Sequence, residues 1–389
     1  MKRMRYTGSD FARAINTEDL RHMAKRRLPH FSFEYVEGGA EDELTLKRNR
    51  DVFERIAWVP RTLSGMGPPD LGVELFGRQC NMPLAIAPTG FNGLLWPEGD
   101  LALARAATTA GVPFTLSTAA NCSLERMGRE VAGQLWFQLY PLKEEKVSDR
   151  LVERAREAGF QTMLVTTDAP VLGAREWDQR NYRAPLKLTL PNILDVLAHP
   201  GWLRRVMIPG GAPRFENIIE FLPADRRSAM VGARYFATQF NDRLSWDDIV
   251  RMRARWPGKL VVKGILSVED ARRAVEAGVD GIVLTNHGGR QLDSCVSAME
   301  MLPAVASEVG DRLTVLVDGG FKRGSDVLKA LALGAHGALI GRAALYGLAA
   351  GGEAGVSHAL NILRMEMERT MTLLGCRTIG EVGRHLLRS

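Results

Sequence analysis

The sequence predicts an α/β protein, a single (β/α)8 TIM barrel over residues 1–389 with a loop inserted after the fourth strand. Short, near-continuously apolar, β-rich runs alternate with amphipathic stretches along the whole chain. Polar residues cluster where those runs stop, as at the C-terminal face of such barrels. The Gly-x-Gly-x-x-Gly fingerprint of a doubly wound dinucleotide fold is absent. A length of 389 residues would suit two average domains, but α/β barrels use as much sequence for one.

The apolar runs, read as buried parallel strands, are Met82–Pro88, Pro113–Thr118, Leu135–Tyr140, Thr162–Asp168, Lys259–Gly264, Gly281–His287, Leu313–Gly320 and Gly337–Arg342. Helical spacing of apolar residues marks Gly99–Ala110, Glu145–Ala158, Ser267–Ala277, Ala298–Val309 and Ser325–Leu333, with Ser123 and Ser267 as helix starts. Between the fourth and fifth strands lie about 90 residues, far more than a βα loop and helix need. The middle of this insertion, Leu186–Pro223, is crowded with apolar side chains, while Pro191, Pro200 and Pro209 keep it from forming one long helix. Such a loop packs on the barrel or a partner subunit, or lies in a membrane interface.

A net charge of +6 suits an anionic substrate, a phosphate-bearing cofactor or an acidic membrane surface, and equally solubility alone. Basic residues are scattered and not interleaved with aromatics, which speaks against nucleic-acid binding. Cys80, Cys122, Cys295 and Cys376 lie far apart without metal-ligand spacing, so no zinc site or disulfide framework is expected. The basic N-terminus runs into polar residues instead of an apolar segment, giving a cytoplasmic expectation.

Candidate functional residues are read from the strand ends. Asp318-Gly319-Gly320, Lys322 and Gly341-Arg342 place glycines and cations after strands seven and eight, the usual barrel phosphate site. His287 follows an apolar strand and stands three residues before Arg290, which suits a base beside a carboxylate-binding group. Asp168, at another strand end, is placed to hold the second imidazole nitrogen. Lys263 ends the fifth strand, where a buried cation needs a negative partner.

Taken together the strand ends resemble the FMN-dependent L-2-hydroxy acid oxidising family, which includes glycolate oxidase, L-lactate dehydrogenases and (S)-mandelate dehydrogenase. The likeness runs from about Phe33 to Gly375, and its signature reads Thr285-Asn286-His287-Gly288-Gly289-Arg290-Gln291-Leu292-Asp293. The resemblance implies FMN as cofactor, His287 as base with Asp168 as its partner, and Arg175 and Arg290 on the substrate carboxylate. Tyr35 and Tyr140 would bond substrate oxygens, and Lys263 would sit by the flavin N1/O2 edge. FMN contacts would come from Pro88, Thr89, Gly90, Ser117, Gln138, Thr166 and Thr285, with Asp318, Gly319, Gly320, Lys322, Gly341 and Arg342 around the phosphate. Lys322 stands where many members have arginine, exchanging a bidentate grip for a point charge.

Gly90, Ala119, residues 37–43 and residues 93–100 are similar to the mandelate-oxidising branch, in which the same loop carries an insertion that seats the enzyme on a membrane. The resemblance therefore implies an aromatic 2-hydroxy acid substrate, a quinone acceptor, peripheral association at the cytoplasmic side of the inner membrane, and a homo-tetramer. Arg204 and Arg205 would meet head groups while Trp202, Leu203, Val206 and Ile208 enter the interface. Rival readings are an L-lactate dehydrogenase or oxygen-using oxidase of the same family, a flavin barrel acting on a phosphorylated metabolite, and a non-enzymatic binding protein.

Overall fold

The structure, a computed structural model, describes residues 6–184, 187–222 and 229–388. Parallel strands β1 (Leu84–Thr89), β2 (Phe114–Ser117), β3 (Leu135–Leu139), β4 (Thr162–Thr166), β5 (Lys259–Ile265), β6 (Gly281–Leu284), β7 (Thr314–Asp318) and β8 (Gly337–Ile340) close into a barrel in sequential order. Each lies within or against one of the apolar runs. Helices Gly99–Ala110 and Ala298–Val309 fall where helical spacing placed them. Ser123 and Ser267 accept hydrogen bonds from the backbone N–H of Arg126 and Asp270, so both cap helices as read.

Side-chain alternation along each strand sorts the core into two layers. Ala85, Ala87, Trp136, Leu164, Val261, Val283, Leu316 and Leu339 fill the barrel interior. Their neighbours Ile86, Phe137, Val165, Val262, Ile282, Val315 and Ile340 face outward into the surrounding helices. A hairpin, Val73–Leu75 with Arg78–Cys80, closes the N-terminal end of the barrel: Phe76 meets Trp136 edge-on at 5.4 Å. At the other end, one more step of the same alternation reaches Ser117, Gln138, Thr166, Lys263, Thr285, Asp318 and Gly341. The apolar interior is thus roofed by polar residues or glycine at the place where active sites of this architecture are built.

The insertion folds as helix Leu190–Leu197 followed by a helical stretch from Pro200 to Gly210 with one π turn, Leu203–Met207. Its read boundaries, Leu186 and Pro223, lie outside the described residues. Leu190, Ile193, Leu194 and Leu197 recur at helical spacing and are exposed. The opposite side of that helix is tied to the protein: Asn192 is buried, and Asp195 accepts the His30 N–H at 2.6 Å. The placement of Trp202 and Val206 at an outward interface is corrected, because both are buried. Trp202 packs edge-on against Phe31 at 5.7 Å and donates its indole N–H to the Leu94 carbonyl at 2.7 Å. Arg205 stacks on Trp96 at 4.3 Å. The insertion must cover the barrel's apolar rim before it can offer anything to solvent, so among its described residues 187–222 the exposed large apolar side chains are Leu190, Ile193, Leu194, Leu197 and Ile208. Among the described residues, no helix is long and apolar enough to cross a membrane.

Candidate active site

The polar roof forms the floor of a cavity of about 760 Å3 lined by Tyr35, Pro88, Thr89, Gly90, Ser117, Ala119, Tyr140, Arg175, Lys263, His287, Arg290, Asp318, Gly341 and Arg342, among others. Gln138, Thr166 and Thr285 lie just beneath, fully or almost fully buried. Ser117 donates to Gln138 at 2.8 Å and Gln138 donates to Thr166 at 2.9 Å, a polar ladder across three strands. Lys263, 3% exposed, faces Asp318 at 3.4 Å, and Thr285 donates to the same carboxylate at 3.3 Å.

The loop after β6 is built for its imidazole. His287 has φ +60°, a left-handed conformation costly for a non-glycine residue and retained mainly where the surroundings enforce it. Its N–H is held by the Thr285 hydroxyl at 2.9 Å. Gly289, at φ +77°, allows close approach to the helix Leu44–Glu54, since a Cβ there would lie 2.7 Å from the Leu46 nitrogen. The later signature residues act in positioning. Gln291 donates to the carbonyls of Asp168 and Val171, stitching the loop that carries Asp168 and Arg175 onto the loop that carries His287 and Arg290. Asp293 accepts the first N–H groups of helix Leu44–Glu54.

His287 Nδ1 lies 2.9 Å from Asp168 Oδ1. Burial disfavours the Asp168 carboxylate, but the imidazole and the Lys263 ammonium outweigh it and hold the carboxyl below its usual range. Asp168 is therefore ionised, Nδ1 carries the proton and Nε2 keeps its lone pair. Burial, with Lys263 and Arg175 nearby, holds the imidazole pKa below its usual value despite Asp168. Its Nε2 lies 3.2 Å from the Tyr140 hydroxyl. Tyr35 donates to the Gly90 carbonyl at 3.2 Å.

Arg290 stacks over Tyr35 at 5.4 Å and donates to the Gly38 carbonyl. Burial, then repulsion from Arg175 and Arg342, pushes its pKa down to about 9. Cations gathered this way beside an imidazole make a receptor for a small carboxylate. Arg342 bonds the carbonyls of Val36, Gly38 and Gly288. Lys322 is not brought to the cavity: its ammonium lies 3.7 Å from Glu18 on the half-exposed flank. Gly319 and Gly320, at φ +112° and +83°, turn the chain after Asp318 beside Asn49.

Residues that strand-end reading missed also line the cavity: Phe91, Asp178, Tyr182, Phe215, Phe236 and Phe240. Phe236 and Phe240 stand four residues apart, the only local sign of them, but the helix Ala229–Thr238 carries Phe236 alone and Phe240 bridges to Leu142.

A family model described as FMN-dependent dehydrogenase matches residues 24–389. The chain belongs to the FMN-dependent dehydrogenase family. It is 44% identical over 366 residues to (S)-mandelate dehydrogenase of Pseudomonas putida, covering 94% of this chain and 91% of that one. It is 46% identical to a putative L-lactate dehydrogenase of Mycobacterium tuberculosis, covering 96% of this chain and 89% of that one. The crystal structure of the monotopic membrane protein (S)-mandelate dehydrogenase superposes with a TM-score of 0.92 at 44% identity, over 97% of this chain and 99% of that one.

This FMN-dependent dehydrogenase has a cavity that fits its cofactor. The Thr89 hydroxyl is buried there without a hydrogen-bond partner among the described residues, and Lys263 is a buried cation in the cavity floor. Buried polar groups of this kind call for a polar, partly anionic ligand.

Proposed function

We propose that this FMN-dependent 2-hydroxy acid dehydrogenase oxidises (S)-mandelate or a related aromatic 2-hydroxy acid to the 2-oxo acid. The observation that carries the aromatic substrate is the space and lining beside His287. On one wall the cavity is lined by Gly90 and Ala119, which leave it bare of any side chain larger than a methyl. Phe215, Phe236 and Phe240 supply an apolar end for a phenyl ring. Identity to the two relatives is nearly equal, so the cavity, not overall likeness, favours mandelate over lactate.

Arg175 and Arg290 hold the substrate carboxylate, and Tyr35 and Tyr140 meet its oxygens. His287 Nε2 takes the proton, and Asp168 stabilises the imidazolium that results. Pro88, Thr89, Gly90, Ser117, Gln138, Thr166, Lys263 and Thr285 would hold the flavin ring. Asp318, Gly319, Gly320, Gly341 and Arg342 would surround the ribityl phosphate. When bound, FMN supplies the two-electron acceptor for the oxidation. Replacing Ala119 with tryptophan fills the bare wall: kcat/KM for (S)-mandelate is expected to fall by about a hundredfold. The value for L-lactate should fall far less, and equal losses on both acids would remove the basis for the aromatic substrate.

The base must be neutral to act. Because the His287 pKa is depressed in the free protein, the acid limb of kcat/KM should have its midpoint below 6.5, the usual imidazole value. In Asp168→Asn the carboxylate that raises that pKa is gone, so the acid limb should move lower still while the plateau rate drops. An acid limb above pH 6.5 in the unmodified enzyme would contradict a neutral, buried His287.

The reading extends to peripheral membrane association and a quinone acceptor, with a homo-tetramer resting on resemblance. Membrane contact is supported by the exposed face of Leu190, Ile193, Leu194 and Leu197, by Ile208, and by adjacent cations. Arg27 is close enough to Arg205 and Arg26 that their repulsion adds to burial in lowering its pKa. Such a cluster suits anionic head groups on the cytoplasmic side. Changing the four exposed residues of that helix to serine is expected to weaken partition onto anionic vesicles by about a hundredfold or more, with activity in solution retained. Undiminished vesicle binding would exclude this face as the contact.

A further inference from the structure

We infer that Phe215, supplied by the insertion, is a specificity-determining residue that seats the aromatic ring of the substrate. This rests on the aromatic reading above and names the side chain that enforces it. Phe215 is nearly buried and lines the cavity. It meets Phe91 edge-on at 4.3 Å and stacks on Phe236 at 5.4 Å with an interplanar angle of 27°. Phe91 in turn meets Tyr35 at 6.0 Å, and Phe236 meets Tyr140 at 5.6 Å. An unbroken arc of rings therefore joins the two tyrosines that face the substrate oxygens, with Phe215 at its centre. Edge-to-face and offset contacts of this kind extend naturally to one more ring placed inside the arc.

The backbone on both sides of Phe215 is pinned to the loop after β2 that carries Ala119. Asn121 donates to the Arg214 carbonyl at 2.7 Å, and the Glu216 N–H donates to the Ala120 carbonyl at 3.2 Å. Asn217, fully buried, accepts the Leu124 N–H at 2.9 Å and donates to the carbonyls of Ser117 and Cys122. Arg154 holds the Asn217 carbonyl at 2.8 Å and is itself paired with Glu125 and Glu220. The ring is thus registered against the bare wall of the cavity before substrate arrives, so little ordering is left to oppose binding.

The test uses the FMN-loaded enzyme and two variants, Phe215→Leu, which keeps bulk without a ring face, and Phe215→Ala. The quantity read is the ratio of kcat/KM for (S)-mandelate to that for L-lactate, from which effects shared by both acids cancel. The inference predicts that the unmodified enzyme favours (S)-mandelate and that Phe215→Leu lowers the ratio by about five- to tenfold. Phe215→Ala should lower it further; if that variant fails to fold with FMN, Phe215→Leu decides alone. A ratio unchanged within twofold in Phe215→Leu, with mandelate still favoured by the unmodified enzyme, overturns the role of Phe215 and leaves the aromatic reading standing. An unmodified enzyme that favours L-lactate overturns both.

Discussion

Replacing His287 is expected to slow substrate reduction of bound flavin by about a thousandfold while FMN stays bound. Residue 287 sits at φ +60°, so His287→Asn is the cleaner variant, because asparagine tolerates this conformation better than alanine. Asparagine keeps a polar side chain of similar reach but has no lone pair basic enough to take the proton. FMN retention follows from the floor of the cavity: Lys263, Ser117, Gln138 and Thr166 are fixed by strand register and by bonds that do not involve the imidazole. Anaerobic single-turnover mixing, followed by flavin absorbance, checks the loss. A reduction rate within tenfold of the unmodified enzyme would remove His287 from the role of base.

The second large effect is expected at Arg290. Its guanidinium is held near two other cations at the cost of a depressed pKa, an arrangement that a bound carboxylate relieves. Arg290→Met should lower kcat/KM for a 2-hydroxy acid by about a hundred- to a thousandfold, chiefly through KM, because a charge-assisted contact in a buried site is lost. Arg290→Lys keeps the charge but loses the planar fork and the stack on Tyr35, so it should fall between the two. Steady-state kinetics over a wide substrate range separate these outcomes, and a KM unchanged in Arg290→Met would place the carboxylate elsewhere.

Much of this site was legible in the chain because barrel strands write it in order. Each apolar run ends at the polar roof, and alternation alone puts Gln138, Thr166, Lys263 and Asp318 above the apolar interior. The signature around His287 was also readable, with Gln291 and Asp293 now explained as a stitch and a helix cap. What escaped depends on distant packing. Nothing near Lys322 in sequence reveals that its ammonium lies outside the cavity, 3.7 Å from Glu18, some 300 residues away. Trp202 reads as an interface residue until the Leu94 carbonyl and Phe31 are brought against it. Phe215 carries no local mark of its place in the arc, since that place is set by bonds between its segment and Asn121, Ala120 and Cys122 across the barrel rim.

Anaerobic mixing of the FMN-loaded protein with (S)-mandelate, (R)-mandelate and L-lactate tests the central claim most directly. The account predicts that (S)-mandelate bleaches the flavin fastest, that L-lactate does so more slowly and that (R)-mandelate leaves it oxidised. A flavin that stays oxidised with every 2-hydroxy acid, or that (R)-mandelate reduces as readily as its mirror image, would contradict it.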